Sequence, residues 1–473
     1  MQENNTKKYT IALLSITIIG FILRLTMAHL DPFLHDWDER YHALVARNMM
    51  DNPLVPMLRK VPLLPVNHAD WTNNHIWLHK QPLFLWQIAL SLKLFGVNEF
   101  AVRYPSVLMG TLMIPMLYYI AKYFTQNKTI ALITAALFSI SCFQLDLTGG
   151  LKGMDHNDVG LGFYILASVF AWIKYLDTRK WYWALLAGLF SGCAILVKWL
   201  YGLYVFLLWG IYILAKFKSQ FRLKEIMLFL LALVVCCVVF LPWQFYISHV
   251  FPVEAQHEYE FNRRHITEAL ESHVGGPWFY VGRFPILIGE AVWLLFFPGL
   301  YLFFKLKENR NDLFWPIFGG IAFLFVFLSF GVTTKVISHF YFVVPFMFIF
   351  IAITLFVIFK KINRQWLNII IGVIVGILIL KPEKAMQHLS AKNEERNLKV
   401  EQAGHIKKLP LPEEKLIGIF GAEDYVEIMF YHDNVIAYPN VDIPIELREK
   451  RQLKLFFFNE LFVPKNERRL LLE

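Results

Sequence analysis

The residues whose types and spacing could do chemistry begin at Asp38-Glu39, an acidic pair that opens the amphipathic stretch DERYHALVARNMM. A positioned carboxylate can take a proton from a hydroxyl that attacks another centre. Neighbouring side chains on a helix point about 100° apart, so these two acids cannot face each other as an acid and base pair. One is expected to enter a site while the other caps or packs. The alternative is that Asp38 is an N-cap with Glu39 in the first helical turn. Lys80 stands just before the corner Gln81-Pro82-Leu83, which launches a second helix. There a cation and free backbone N–H groups could meet an anion together, or the lysine could simply snorkel to an interface.

Further along, Asp155-His156-Asn157-Asp158 opens an apolar run. The cluster could cap a helix, orient sugar hydroxyls or offer ligands to a divalent ion, and its spacing matches no specific metal signature. Arg263 and Arg264 precede Glu271-Ser272-His273-Val274-Gly275-Gly276-Pro277-Trp278, and the loop as a whole combines cations, a flexible glycine pair and aromatics. Such a loop suits a phosphate and a sugar face, and equally suits a membrane interface. Lys335 and His339 frame a connection between two apolar runs, where a lysine needs an anionic partner or access to the interface.

The elements that must position these groups are membrane helices. The chain has 473 residues, 57% of them hydrophobic and only 18% charged, with 44 Phe and 14 Trp. That composition indicates an all-α polytopic membrane protein. Apolar runs near residues 9–30, 104–121, 130–148, 158–173, 182–199, 200–215, 226–247, 284–304, 313–333, 340–359 and 366–380 imply about 11 transmembrane helices. Whether 182–215 forms two helices or one kinked one is left open by the pattern. The N-terminal run, after Lys7-Lys8, is expected to be a signal anchor.

The formal net charge of +9 does not point to nucleic acid, because Lys and Arg gather in short clusters between apolar runs. With a cytosolic N-terminus every second connection is basic, which places loops 31–103 and 248–283 and all the polar candidates above on the non-cytosolic side. The tail, 381–473, then lies outside as a small soluble α/β domain: polar helix first, followed by a strand-helix-strand pattern in KLIGIFG, AEDYVEIMFY and NVIAY. Cys142, Cys193, Cys236 and Cys237 all fall in apolar runs and read as buried hydrophobes.

Several of these motifs, in order, resemble those of GT-C glycosyltransferases. Asp38-Glu39 with Tyr41, Ala43, Ala46, Arg47, Asn48 and Met49 is similar to the opening of that family's first outer loop. Lys80-Gln81-Pro82-Leu83 and Arg103-Tyr104-Pro105-Ser106 continue the likeness, as do His273 to Tyr280 and Lys335 with His339, Tyr341 and Pro345. Within the superfamily the resemblance is to the protein O-mannosyltransferase and lipid A aminoarabinose transferase group. That group usually carries Glu-Lys-Pro-Pro where this chain has His79-Lys80-Gln81-Pro82.

The resemblance implies a membrane part, 1–380, that moves one sugar, with inversion, from a polyprenyl monophosphate carrier to a hydroxyl or phosphate of a protein, lipid A or another glycan. It implies a bacterial inner-membrane location and a lipid-linked donor in place of a soluble cofactor, and it leaves the metal open. In this reading Asp38 and Glu39 are the catalytic residues, with Asp38 the best candidate for the base, and Lys80, Lys335, Arg263 and Arg264 bind the donor phosphate. Asp155, His156, Asp158, His273, Trp278, His339 and Tyr41 meet the sugar or acceptor. A transporter or flippase of anionic lipid-linked substrates is the alternative. It would carry more polar residues in mid-membrane than Asp146, Lys198 and Glu290.

Overall fold

The computed structural model describes residues 2–151, 156–216, 223–411, 416–439 and 454–457; of these, 2–6 and 454–457 are described by their backbone alone. The chain enters through α1 (Gln2–His29), then crosses the first outer loop, which contains α2 (Asp38–Met49) and α3 (Pro82–Phe95). There follow α4 (Glu99–Thr125), α5 (Lys128–Ser139), α6 (Cys142–Gly149), α7 (Asn157–Thr178), α8 (Tyr182–Lys198), α9 (Tyr204–Lys216) and α10 (Leu223–Val250). The second outer loop opens with α11 (Pro252–Thr267), before α12 (Phe284–Leu287), α13 (Phe296–Phe303), α14 (Phe314–Val326), α15 (Val344–Ile362) and α16 (Gln365–Leu380).

Among the described residues seven helical stretches are long and apolar enough to cross a membrane, or nine if each of two bent pairs is one span, against the about 11 expected. The difference lies where apolar runs are broken and at α16, whose 16 residues fall short of a span. The run at 130–148 splits into α5 and α6 with a 44° bend, and the run at 284–304 turns by 109° between its two halves, through Gly289 at φ +137°. The stretch Tyr182–Lys216 counts as one of the seven, yet it is divided at Trp199, whose φ of 50° and ψ of −149° end α8. Ser191 Oγ donates to the Gly202 carbonyl at 2.7 Å. Eleven residues of straight helix would hold those atoms about 16 Å apart, so the chain turns back on α8 there.

Helix packing relies on small residues where backbones meet. A Cβ at Gly188 would lie 2.1 Å from the Ala232 carbonyl oxygen, and one at Gly192 would lie 2.8 Å from that of Cys236. The four-residue spacing puts both glycines on one face of α8 and brings α10 close, as between apolar helices that gain little from hydrophobicity and much from contact.

The tail begins with α17 (Pro382–His388) and α18 (Glu394–Lys407). Strands β1 (Ile417–Phe420), β2 (Val435–Tyr438) and β3 (Lys454–Phe457) form a parallel sheet of order β2-β1-β3, with Ile417 opposite Val435 and Lys454. Helix α19 (Tyr425–Tyr431) connects β1 to β2 and lies against α2. The tail therefore rests on the first outer loop. Arg59 of that loop donates to the Ala437 and Thr72 carbonyls, with its guanidinium 4.2 Å from the Tyr438 ring, and Tyr438 Oη accepts the Leu63 and Leu64 N–H groups.

Candidate active site

Loop 31–103, the α8–α9 corner, α11 and the segment before α15 enclose a cavity of about 1160 Å³. That exceeds the roughly 300–1000 Å³ of a drug-sized ligand site. One part of its wall is polar and cationic, with Asp38, Lys80, Lys198, Arg263, His265, His273 and His339. The lining also includes apolar side chains, among them Phe143, Leu203, Leu207, Phe323, Leu324, Phe327 and Phe342. Such a chamber can take a ligand with an anionic head and a hydrocarbon tail.

Asp38 is the first residue of α2, and the cap position falls on Trp37, which makes no side-chain cap bond. The capping alternative for Asp38 is thus not realised. Its carboxylate lines the cavity, 38% exposed, with Lys80 Nζ 3.2 Å from Oδ1. Lys80 reaches it because Pro82 starts α3 and Gln81 holds the extended conformation, φ −72° and ψ 156°, that a residue before proline prefers. Gln81 is fixed in turn, since its Oε1 accepts from Gln244 Nε2 at 2.8 Å.

Glu39 does not face the cavity. It is 1% exposed, accepts the His35 N–H at 2.6 Å and takes Arg103 Nε at 2.7 Å. Arg103 and His35 hold its carboxyl well below the usual range, against the opposing effect of burial. The 100° offset between neighbours separates the acids as expected, one to the cavity and one to the interior.

Other expected site residues divide in the same way. Arg263, His273 and His339 line the cavity, with the His339 ring 5.4 Å from that of Tyr201. Arg264 instead points outward and pairs with Glu268 at 2.7 Å, and Trp278 is 70% exposed; neither is part of the cavity wall. His156 is buried, 5.1 Å from the His42 ring and 5.3 Å from Phe84. Tyr41 is also buried, bonded to the Tyr425 hydroxyl, and supports the cavity from behind by packing 4.6 Å from Trp71. Asp155 lies outside the described residues.

Lys335 solves the cost of its position in a way the pattern did not suggest. Its ammonium donates to the carbonyls of Leu328, Ser329 and Val332, at the end of the helical turn Phe327–Gly331. A helix leaves its last carbonyls without partners, and this lysine fills them. Burial draws its pKa below the usual lysine range. It is 5% exposed and does not line the cavity.

The second lysine of the cavity is Lys198, at the end of α8, whose Nζ lies 2.7 Å from Asp158 Oδ1. Asp158 is fully buried, so it acts on the cavity through Lys198. The sequence carried a signal for this residue: a lysine ending an apolar run on the same side as Asp38. What it did not carry was the turn at Trp199 that folds the lysine inward. Trp37, Trp71, His79 and His265 also line the cavity and were not singled out. Among the described residues no group of three or more His, Cys, Asp or Glu side chains is arranged to hold a metal ion.

A solved structure of ArnT from Cupriavidus metallidurans, bound to undecaprenyl phosphate, superposes with a TM-score of 0.62 at 16% identity, covering 92% of this chain and 86% of that one. The chain has the GT-C glycosyltransferase fold. A second GT-C structure, the Archaeoglobus fulgidus oligosaccharyltransferase, matches with a TM-score of 0.56 at 11% identity, covering 91% of this chain and 64% of that one. The family model described as dolichyl-phosphate-mannose-protein mannosyltransferase matches residues 79–246, from His79 beside Lys80 to Tyr246 within α10. An undecaprenyl phosphate-alpha-4-amino-4-deoxy-L-arabinose arabinosyl transferase of Pectobacterium atrosepticum is 25% identical over 382 residues, 77% of this chain and 64% of the relative. An uncharacterized protein of Aquifex aeolicus is 26% identical over 266 residues, 55% of this chain and 49% of the relative. The chain thus spans about half to two thirds of the length of these curated relatives.

Proposed function

We propose that this GT-C protein transfers a single sugar from a polyprenyl monophosphate carrier to an acceptor hydroxyl or phosphate on the non-cytosolic face of a bacterial inner membrane. The observation that carries this reading is the pairing of Asp38 with Lys80 in a cavity that apolar side chains of α9 and α14 also line. The likeness to ArnT, which binds undecaprenyl phosphate, supports it.

The chemistry follows from the residues. Asp38 accepts the proton of the acceptor as its oxygen attacks the anomeric carbon. The bond from that carbon to the phosphate oxygen breaks, and the electron pair leaves with the carrier phosphate. A phosphate is already a stable anion, so its departure needs cations and not a general acid. Lys80, Lys198 and Arg263 supply them from three elements, and the prenyl chain lies along Phe323, Leu324 and Phe327. Attack opposite the leaving phosphate inverts the anomeric centre.

The test is release of sugar from a radiolabelled polyprenyl phosphate sugar by the purified protein in lipid nanodiscs, supplied with a membrane extract as acceptor source. Time-dependent conversion to polyprenyl phosphate is expected, and a donor that stays intact across several sugars contradicts the reading. The sidedness is tested separately, with single cysteines at Ser390 and Glu308 in intact cells. An impermeant thiol reagent is expected to label the first and not the second.

A further inference from the structure

The tail and the first outer loop meet over buried charges that sugar transfer does not itself use. Asp31, 2% exposed, receives Arg396 Nε at 2.6 Å on one oxygen and His388 Nε2 at 2.7 Å on the other, both from the tail. His35 Nε2 lies 3.0 Å from that second oxygen, while its Nδ1 lies 2.8 Å from Glu39 Oε2. A continuous polar path therefore runs from α18 through Asp31 and His35 to Glu39, the neighbour of Asp38. A parallel line joins Lys399 to Asp36, Asp36 to Arg40 at 2.6 Å, and Arg40 to Glu427 of α19.

Helix α2 needs such an external hold. Its cap residue, Trp37, has φ 65° and ψ −114°, a strained conformation for a side chain-bearing residue, and offers no capping bond. Its first turn is tied instead by Glu39, which accepts the His35 N–H. Glu39 is also confined on its far side, since a Cβ on Gly150 would come within 2.2 Å of its Oε1. A buried carboxylate keeps its charge and place only while its partners remain. Without Arg396 and His388, Asp31 loses a partner on each oxygen and is held through His35, so the anchor it gives that ring is loosened.

We infer that the tail positions the catalytic helix, with Arg396 and His388 as positioning residues that fix Asp38 through Asp31, His35 and Glu39. The acidic pair thereby divides its work, Asp38 meeting substrate and Glu39 receiving the tail. This rests on the reading of Asp38 as the base, since it is the placement of that carboxylate against the anomeric carbon that the tail sets.

The test uses the full chain in nanodiscs, comparing wild type with Arg396→Ala, Arg396→Lys and, as a control on the exposed face of α18, Glu401→Gln. Backbone hydrogen exchange over residues 36–45 is expected to speed up about tenfold in Arg396→Ala while α7 stays protected, with partial rescue in Arg396→Lys. Sugar release at saturating donor is expected to fall by up to about 100-fold, as a misplacement of the order of 1 Å can cause, with donor KM held within a few-fold. If Arg396→Ala fails to fold, His388→Gln carries the same two measurements. Unchanged exchange over 36–45 overturns the inference, and so does faster exchange with undiminished turnover. Should wild type release no sugar, the proposed function falls, and the exchange measurement still decides whether the tail holds α2.

Discussion

Two neighbours in one helix turn show how this molecule separates chemistry from structure. Asp38 and Glu39 are adjacent, yet the first borders a wide cavity beside Lys80 and the second is sealed between His35 and Arg103. The same contrast recurs among the lysines, for Lys198 lines the cavity and Lys335 is spent on helix carbonyls. Residue type alone does not decide which member of each pair faces substrate. The direction of the backbone does, and it is set for Asp38 by the tail and for Lys198 by the turn at Trp199.

The largest expected effect separates the acids. Asp38→Asn should cut transfer by about 100- to 10,000-fold, the worth of a general base, with little change in thermal stability. Glu39→Gln removes the charge that faces a buried arginine and should destabilise the fold by roughly 3–5 kcal/mol. Turnover and thermal unfolding measured on both variants check this, and a stable Glu39→Gln or an active Asp38→Asn breaks the contrast.

A smaller effect should appear with pH, and two buried acids, Glu39 of α2 and Glu427 of the tail, should differ in sign. Glu39 is held low, so its contribution is present above the ordinary carboxyl range and is lost only as pH falls below it. Glu427 is pushed up to about 8 by burial, against the pull of Arg40. Its contribution is full below its unfolded value near 4.5 and declines as pH rises towards about 8. Hydrogen exchange of α19, taken relative to the intrinsic amide rate at each pH, is therefore expected to quicken between about pH 5 and about 8 by an amount that Glu427→Gln abolishes. The smallest effects belong to the exposed residues. Arg264→Ala and Trp278→Ala should each leave the thermal midpoint almost unchanged and donor binding within about twofold.

Much of this was legible in the chain. Apolar run lengths located most of the membrane helices, and alternating basic clusters grouped eleven polar residues on one side. Of these, Asp38, Lys80, Arg263, His273 and His339 line one cavity, while Glu39, His156, Asp158, Arg264 and Lys335 do not and Asp155 lies outside the described residues. Periodicity also announced β1, α19 and β2 in the tail. The count of spans was less legible, because a run of apolar residues reads the same whether or not the backbone bends, as at Gly289 and Trp199. The destinations of Lys335 and Lys198 were hidden for a related reason. Their partners are backbone carbonyls in one case and Asp158, 40 residues away, in the other, and neither leaves a local pattern.

The measurement that tests the central claim most directly is the affinity of polyprenyl phosphate for wild type, Lys80→Met, Lys198→Met, Lys335→Met and the Lys80→Met/Lys198→Met pair, in nanodiscs. A charge-assisted contact is worth roughly 1.5–3 kcal/mol, so losing Lys80 or Lys198 should weaken binding by about tenfold or more. Their double variant should lose less than the sum, because both cations address one anion. Lys335→Met should lower thermal stability and leave affinity within about threefold. Affinity that drops with Lys335 and is untouched by Lys80 and Lys198 would contradict the account, since the carrier phosphate would then sit away from the cavity wall that holds Asp38.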